Sequence, residues 1–447
     1  MRSGPARRTL DPVRLVILAV GAVAQVAILV WIRLHVAGPD GGDICRDVVA
    51  IRRIVHGQSP YARISQCGTL FNVPHPPAYF LLIGPFALLP IPWAAALWDT
   101  LGIVALWVSV ALIVRELRLA PSPWALAVML ALILSWAPWL QTLLEAQISP
   151  FLLLLLTLAW LAARRGRSGW AGAALGVAAA VRLFPALAVV YFFIRRDWRA
   201  VGASVAVFVG MEALATPLVG GIPGVIAYAT RESPAATAEW IAHEHNVSLW
   251  GFTHQLLIGQ RDLNPVVYAP WLASPLTYAL LAVLLGALAW QTYRNRRLPF
   301  TQDQSTFLAY LPAMLLASPL TWQHYFVILL LPLLVLAACF PWLHRVSKRP
   351  TNSASAITSG ATDASCLEES VSSGVSSLRE RQWRAPTVLI ALFVPLTWIP
   401  TLVEQTITAR PLPAITGPLV FVLPMYLLVG SFVILYRWKQ CGGAAIP

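Results

Sequence analysis

Residues 38–61, GPDGGDICRDVVAIRRIVHGQSPY, hold three aspartates and four arginine or imidazole side chains in a chain that is otherwise greasy. A carboxylate at the edge of a lipid layer can take a proton from a hydroxyl. Cations beside it can hold a phosphate. From Asp43 to Gly57 the pattern is helical, with Val48, Ile51, Ile54 and Val55 along one side, which predicts an amphipathic helix lying on the membrane surface. Asp43 stands at its start. There a carboxylate either caps free N–H groups or is held as a catalytic base. Arg46, Arg52, Arg53 and Arg63 meet either anionic lipid head groups or a phosphate-bearing lipid substrate.

Further polar side chains are spread along the chain. NVPHPPAYF (72–80) fixes a turn with its prolines and places His75 either in that turn or in an aqueous pocket. LLEAQISPF (143–151) sets Glu145 and Gln147 between two apolar runs, and a carboxylate next to hydrocarbon marks a site unless the turn reaches water. AAAVRLFPAL (178–187) surrounds Arg182 with small apolar residues, where it snorkels or faces an anion. HEHNVSLWGF (243–252), with Asn246 and Ser248, and LASPLTWQHYF (316–326), with Trp322 and His324, offer groups that bind hydroxyls and stack on rings.

The elements that must carry these groups are membrane helices. Apolar residues make up 58% of the 447-residue chain and charged ones 11%, against about a quarter charged in soluble domains. Apolar stretches at 13–36, 92–114, 122–143, 148–163, 201–220, 268–292, 305–320, 325–342, 386–403 and 416–436, with two awkward segments at 78–90 and 169–194, predict an all-α polytopic bundle of roughly ten to thirteen membrane segments. Arg2, Arg7, Arg8 and Arg14 hold the N-terminus inside, and the basic clusters at 163–167, 195–199, 293–297, 344–349 and 436–439 face the cytoplasm. That topology puts the loop 37–76, the Glu145–Ser149 turn, 221–265 and 318–324 outside. Nearly all the polar candidates therefore share one face. The net charge of +13 belongs to such flanking clusters and argues against nucleic acid as a partner. Residues 343–385, rich in Ser, Thr, Ala and Gly, form a cytoplasmic, partly disordered linker between a module at 1–342 and C-terminal membrane helices at 386–447. The five cysteines have no metal-type spacing, and a Cys45–Cys67 disulfide is open to the outer loop.

The order of these motifs resembles glycosyltransferase family 87, of the GT-C superfamily, over about residues 13 to 342. The resemblance runs through Asp43, Gly57, Pro60 and Tyr61; the Pro76–Pro77 pair; Gln147; Arg182 with Pro185; Asn246, Ser248 and Leu249; and Ser318, Pro319, Thr321, Trp322 and His324. His75 and Asp47 stand where that family often has tyrosine, and His254 where a basic residue is common. The resemblance implies a GT-C-type bundle that transfers mannose from a polyprenyl-phosphate donor to a lipid- or polymer-linked glycan on the outer face of the cell membrane. Asp43 is then the base of an inverting reaction, and Arg182 with His324 supports the leaving phosphate. Glu145, Gln147, Asn246 and Trp322 hold the sugar, with Asp47, His75 and Ser248 in the same pocket. No metal or cofactor is expected. A flippase for lipid-linked sugars and a non-catalytic assembly subunit remain as other readings. A flippase needs polar residues reaching the cytoplasmic half and a pseudo-repeat, neither of which the sequence shows.

Overall fold

A computed structural model describes residues 11–36, 42–62, 64, 67, 75–259, 264–338, 397 and 427–436. Among these the protein is helical, with no strand. The linker 343–385 and most of 386–447 lie outside the described residues.

The order begins with α1 (Pro12–His35), α2 (Asp43–Val55), α3 (Tyr79–Ile83), α4 (Ile91–Glu116), α5 (Pro123–Leu134) and α6 (Ala137–Leu144). It continues with α7 (Ser149–Arg164), α8 (Ser168–Val181), α9 (Leu187–Ile194), α10 (Trp198–Ala215) and α11 (Gly221–Ala227). The remaining helices are α12 (Ser233–Trp240), α13 (Leu249–Leu257), α14 (Pro270–Asn295), α15 (Phe300–Ala317) and α16 (Leu330–Ala337). Prolines in the first turn, whose missing N–H is free there anyway, open α1, α4, α5, α6, α7, α12 and α14.

Among the described residues, four helices are long and apolar enough to cross a bilayer: Pro12–His35, Ile91–Glu116, Trp198–Val219 and Pro270–Asn295. The pair Pro123–Leu134 and Ala137–Leu144, bent by 49°, makes a fifth candidate. Among the described residues, Tyr79–Leu88, Ser149–Arg164 and Gln323–Ala337 are shorter apolar helices of 10–17 residues. The protein is thus an all-α, multi-pass membrane protein, with fewer unbroken spans than its apolar runs predict. The reason is visible at Arg182. There the chain leaves α8 in an extended conformation (φ −145°, ψ 128°), and Pro185, with no N–H to continue the ladder, restarts it as a 3₁₀ turn before α9.

Close packing comes from small residues. α8 makes its broadest contact with α10, where Gly172 and Gly176 lie against the Ala200 and Ser204 backbone with no room for a side chain. α7 packs between α8 and α4, and Trp98, Trp139, Trp160, Tyr191 and Phe307 fill the centre. Arg33 of α1 reaches Asp99 of α4 and the Leu143 carbonyl of α6, so α1 is tied to the bundle by a buried ion pair.

Candidate active site

α2 does not float on the lipid surface. Ile44, Cys45, Val48 and Ile51 are buried, and the helix packs on α3, on the 3₁₀ turn at Gly84–Leu88 and on α4. Val55 is 77% exposed, so the apolar side runs through Val48 and Ile51 and leaves Val55 out. Arg52 donates to the Ala87 and Leu89 carbonyls at 3.2 and 2.7 Å, and Arg53 to Ala62 at 2.7 Å. These arginines staple the helix. They border a recess of 310 Å³ with Val49, His56 and Ile91, on the side of α2 away from Asp43. A disulfide joins Cys45 to Cys67, and so ties the following loop back to the helix.

Asp43 is the first residue of α2, and Gly42 is its N-cap. Its backbone N–H bonds to the Glu145 carbonyl at 3.1 Å, so the start of α2 sits directly on the α6–α7 turn. The side chain does not cap the helix. It accepts from Gln147 Nε2 at 2.5 Å, pairs with Arg46 one turn on, and stays 31% exposed. The turn holds an uncommon backbone: Ala146, between Glu145 and Gln147, has φ 49°. The Glu145 carboxyl makes no hydrogen bond or ion pair with the described residues, and burial raises its pKa against the pull of Arg46 and Arg33.

Asp47 lies one turn beyond Asp43 on the same face, in a different environment. It is 2% exposed, and both oxygens are used: His75 Nε2 lies 3.0 Å from Oδ1 and the Tyr79 hydroxyl donates to Oδ2 at 2.5 Å. Burial alone would raise the Asp47 carboxyl, but His75, Tyr79 and the Arg46 charge outweigh it and hold the group below its ordinary value. Burial, aided by the Arg182 charge, lowers His75 to about 4, so the imidazole is neutral at pH 7 and donates to the carboxylate.

Arg182, at the α8 break, has its guanidinium 5.6 Å from the Tyr79 ring centre and 5.7 Å from that of Tyr325. It makes no ion pair or hydrogen bond with the described residues, and its Nε is buried without a partner. It interacts electrostatically with Arg46, His75 and His324. His324 is buried against the Tyr325 ring, 4.4 Å between centres, and its Nε2 also lacks a partner. Its carbonyl accepts from Thr142 of α6 at 3.3 Å.

The segments 243–252 and 316–326 divide into scaffold and surface. Asn246 spends its whole amide internally: Nδ2 donates to the Ile241 and Pro319 carbonyls at 2.9 Å each, and Oδ1 accepts from the Ser248 and Thr321 N–H groups. Ser248 caps α13 through Gly251 N–H at 3.0 Å. Both residues staple the 243–252 segment to 318–322 and have no group left for a sugar. Trp322 is partly exposed and meets the rings of Trp240, His243 and His245 at 5.8, 5.1 and 6.3 Å.

His243, Glu244 and His245 bring one ligand atom each within 4.8 Å of one another, the one such trio among the described residues. The geometry is that of a hydrogen-bonded cluster. His243 Nδ1 accepts from the His245 N–H at 3.3 Å, which puts the ring proton of the neutral form on Nε2, facing Glu244 at 3.5 Å.

The structure therefore gathers Asp43, Glu145, Gln147, Asp47, His75 and Arg182 around the starts of α2 and α3, with His324 joined through Arg182 and Trp322 beside it. Arg46, one of the arginines singled out in the sequence, joins them, and the structure adds Tyr79 and Tyr325, which the sequence motifs contain without marking. Tyr79 is four residues past His75, and Tyr325 directly follows His324.

Comparison with known proteins settles the lineage. The sequence model of glycosyltransferase family 87 matches residues 74–319, more than half of the chain. The chain belongs to glycosyltransferase family 87. Two relatives from Mycobacterium tuberculosis are 28% identical to it. The polyprenol-phosphate-mannose-dependent alpha-(1-2)-phosphatidylinositol mannoside mannosyltransferase of strain H37Rv aligns over 311 residues, 62% of this chain and 66% of its own length. The corresponding phosphatidylinositol pentamannoside mannosyltransferase of strain CDC 1551 aligns over 347 residues, 74% of this chain and 73% of its own. No solved structure matches the chain. The match to family 87 begins at residue 74, so it takes in His75, Tyr79, Glu145, Gln147 and Arg182 and leaves α2 upstream.

Proposed function

We propose that this chain is a mannosyltransferase that moves mannose from a polyprenyl-phosphate donor to a lipid- or polymer-linked glycan on the extracytoplasmic face. The carrying observation is a pair of opposites linked through Arg46: a partly exposed carboxylate, Asp43, is steadied by Gln147 and Arg46, and Arg46 in turn feels the charge of Arg182, an arginine that has no acidic partner among the described residues. Family membership supports glycosyl transfer. The names of the two relatives support the mannose donor and make phosphatidylinositol mannosides the first acceptors to try. The Cys45–Cys67 disulfide supports the outer face, because such bonds persist outside the reducing cytoplasm.

In the reaction, Asp43 takes the proton of the acceptor hydroxyl as that oxygen attacks the anomeric carbon. The bond from that carbon to the phosphate oxygen breaks on the opposite side, with inversion, and the electron pair leaves with the polyprenyl phosphate. The Arg182 guanidinium, with His324 beside it, stabilises the charge that gathers on the phosphate. Glu145 and Gln147 border the acceptor side, and Trp322 offers a ring face to a sugar.

Reconstituting the full chain in vesicles with labelled polyprenyl-phosphate mannose and phosphatidylinositol mannosides tests the reading. Transfer of label to the glycolipid is expected. Turnover with nucleotide sugars and none with the polyprenyl donor would overturn it.

A further inference from the structure

Asp47 poses a problem that the transfer reaction does not solve. It is a buried carboxylate one helical turn from the proposed base, and both its oxygens are filled by His75 and Tyr79. Each oxygen already accepts a hydrogen bond and the residue is 2% exposed, so a substrate hydroxyl does not reach it. Burying it costs several kcal/mol unless its partners compensate. The partners form a chain of contacts. The His75 and Tyr79 rings lie 4.0 Å apart, centre to centre. The Tyr79 ring covers one side of the Arg182 guanidinium, and Tyr325 contacts it from its own helix.

We infer that Asp47 is a positioning residue: through its hydrogen bond to Tyr79 it fixes the ring against which Arg182 packs, and so aims an otherwise unpaired guanidinium at the phosphate of a polyprenyl-phosphate lipid. Three observations converge on this. Arg182 follows a broken helix end, so its backbone alone does not fix its direction. The guanidinium has no carboxylate or carbonyl to hold it, and its Nε is buried without a partner, which leaves its N–H edge for an anion. Aromatic contact is then what orients it, worth about 0.5–2 kcal/mol per ring. A tyrosine whose hydroxyl is tied to a carboxylate can swing neither its ring nor the cation that rests on it. The identity of the anion as a lipid phosphate rests on the function proposed above; the Asp47–Tyr79–Arg182 coupling does not.

Charge and position make opposite predictions here. Replacing Asp47 by Asn removes a negative charge near an anion site, so electrostatics alone tightens phosphate binding. Loss of positioning weakens it. The test is binding of polyprenyl phosphate, with uncharged polyprenol as control, to the full chain in detergent, for wild type, Asp47→Asn, Tyr79→Phe, Arg182→Gln and the two doubles with Arg182→Gln. Thermal melting checks each fold. Asp47→Asn and Tyr79→Phe are each expected to weaken phosphate binding roughly ten- to a hundredfold, on the scale of one lost hydrogen bond to a charged group. Neither should weaken it further once Arg182 is Gln. Tyr79→Phe keeps the ring and changes no charge, so it answers alone if Asp47→Asn does not fold. Tighter binding by Asp47→Asn, or a full effect of either variant without Arg182, overturns the inference. Mannosyl transfer is assayed on the same preparations. Coupled, Arg182-dependent binding without any transfer would refute the proposed function and leave this inference standing, whereas transfer with uncoupled binding would do the reverse.

Discussion

Gln147 donates its side-chain amide to the Asp43 carboxylate at 2.5 Å across 104 residues of chain, while the Asp43 N–H bonds back to the Glu145 carbonyl at 3.1 Å. The start of α2 and the turn between α6 and α7 are thereby a single unit. The carboxylate is held from both sides, by Gln147 and by Arg46 of its own helix.

Removing the proton-accepting oxygen should therefore end the chemistry without unfolding the protein. Asp43→Asn is expected to lower the transfer rate by about 10²- to 10⁴-fold, the usual contribution of a positioned base. Gln147→Ala, which removes one bond to a charged group, should cost about ten- to a hundredfold. Initial rates in proteoliposomes, with melting temperatures alongside, check both. Wild-type turnover by Asp43→Asn would remove it as the base.

The sequence shows the two aspartates four residues apart and does not separate them. What separates them is partners 28 and 32 residues further on, His75 and Tyr79, which close around Asp47 and leave Asp43 open. Distance along the chain hides Asn246 in the same way. It reads as a hydroxyl-binding amide, yet its acceptor is the Pro319 carbonyl, 73 residues away. The long spans α1, α4 and α14 are legible because an unbroken apolar run states its own length. The break at Arg182 and Pro185 is legible as well, because proline cannot continue the ladder. The depth at which α2 sits is not, since burial against other helices and contact with lipid select the same apolar side chains.

Acid should loosen this end of the molecule through His75. Burial, with Arg182, lowers the imidazole to about 4 from its ordinary 6.5, against the attraction of Asp47. The unfolded chain therefore takes up a proton that the folded chain refuses. The stabilising contribution is complete above about pH 6.5 and is lost as the pH falls towards 4, at about 1.4 kcal/mol per unit of separation. The melting temperature should drop across that window, and His75→Gln should flatten the drop. An unchanged slope in His75→Gln would show that another group carries it.

Reduction should act on the same end of α2, through a bond anchored between its two aspartates. The Cys45–Cys67 bond closes a loop with a sequence separation of 22 residues onto the helix that carries both aspartates. Losing such a bond costs about 2–5 kcal/mol. Cys45→Ser and Cys67→Ser should lower the melting temperature equally, and the double variant should add nothing to either. Reductant should affect wild type alone. Ready alkylation of both thiols in untreated membranes would refute the pairing.

Gly42 is where the backbone itself sets the position of Asp43. Its φ is 73°, and a Cβ there would come within 2.9 Å of the Leu144 carbonyl oxygen and 3.0 Å of the Glu145 backbone. Those are main-chain atoms, which cannot rotate away. With ψ at −146° this is backbone that essentially only glycine adopts, so alanine there carries a strain of about 1–3 kcal/mol and also pushes the start of α2 off the turn it sits on. The Asp43 N–H then loses the Glu145 carbonyl, and the carboxylate moves away from Gln147. Gly57 separates the two effects: it has φ 71° but nothing within 4 Å of a Cβ. Gly42→Ala is expected to lower both stability and turnover, with kcat falling by about tenfold or more, because misplacing a reacting group by about 1 Å can cost about a hundredfold. Gly57→Ala should lose stability alone. Equal kcat in the two variants would mean that contact between α2 and the α6–α7 turn does not set the position of Asp43.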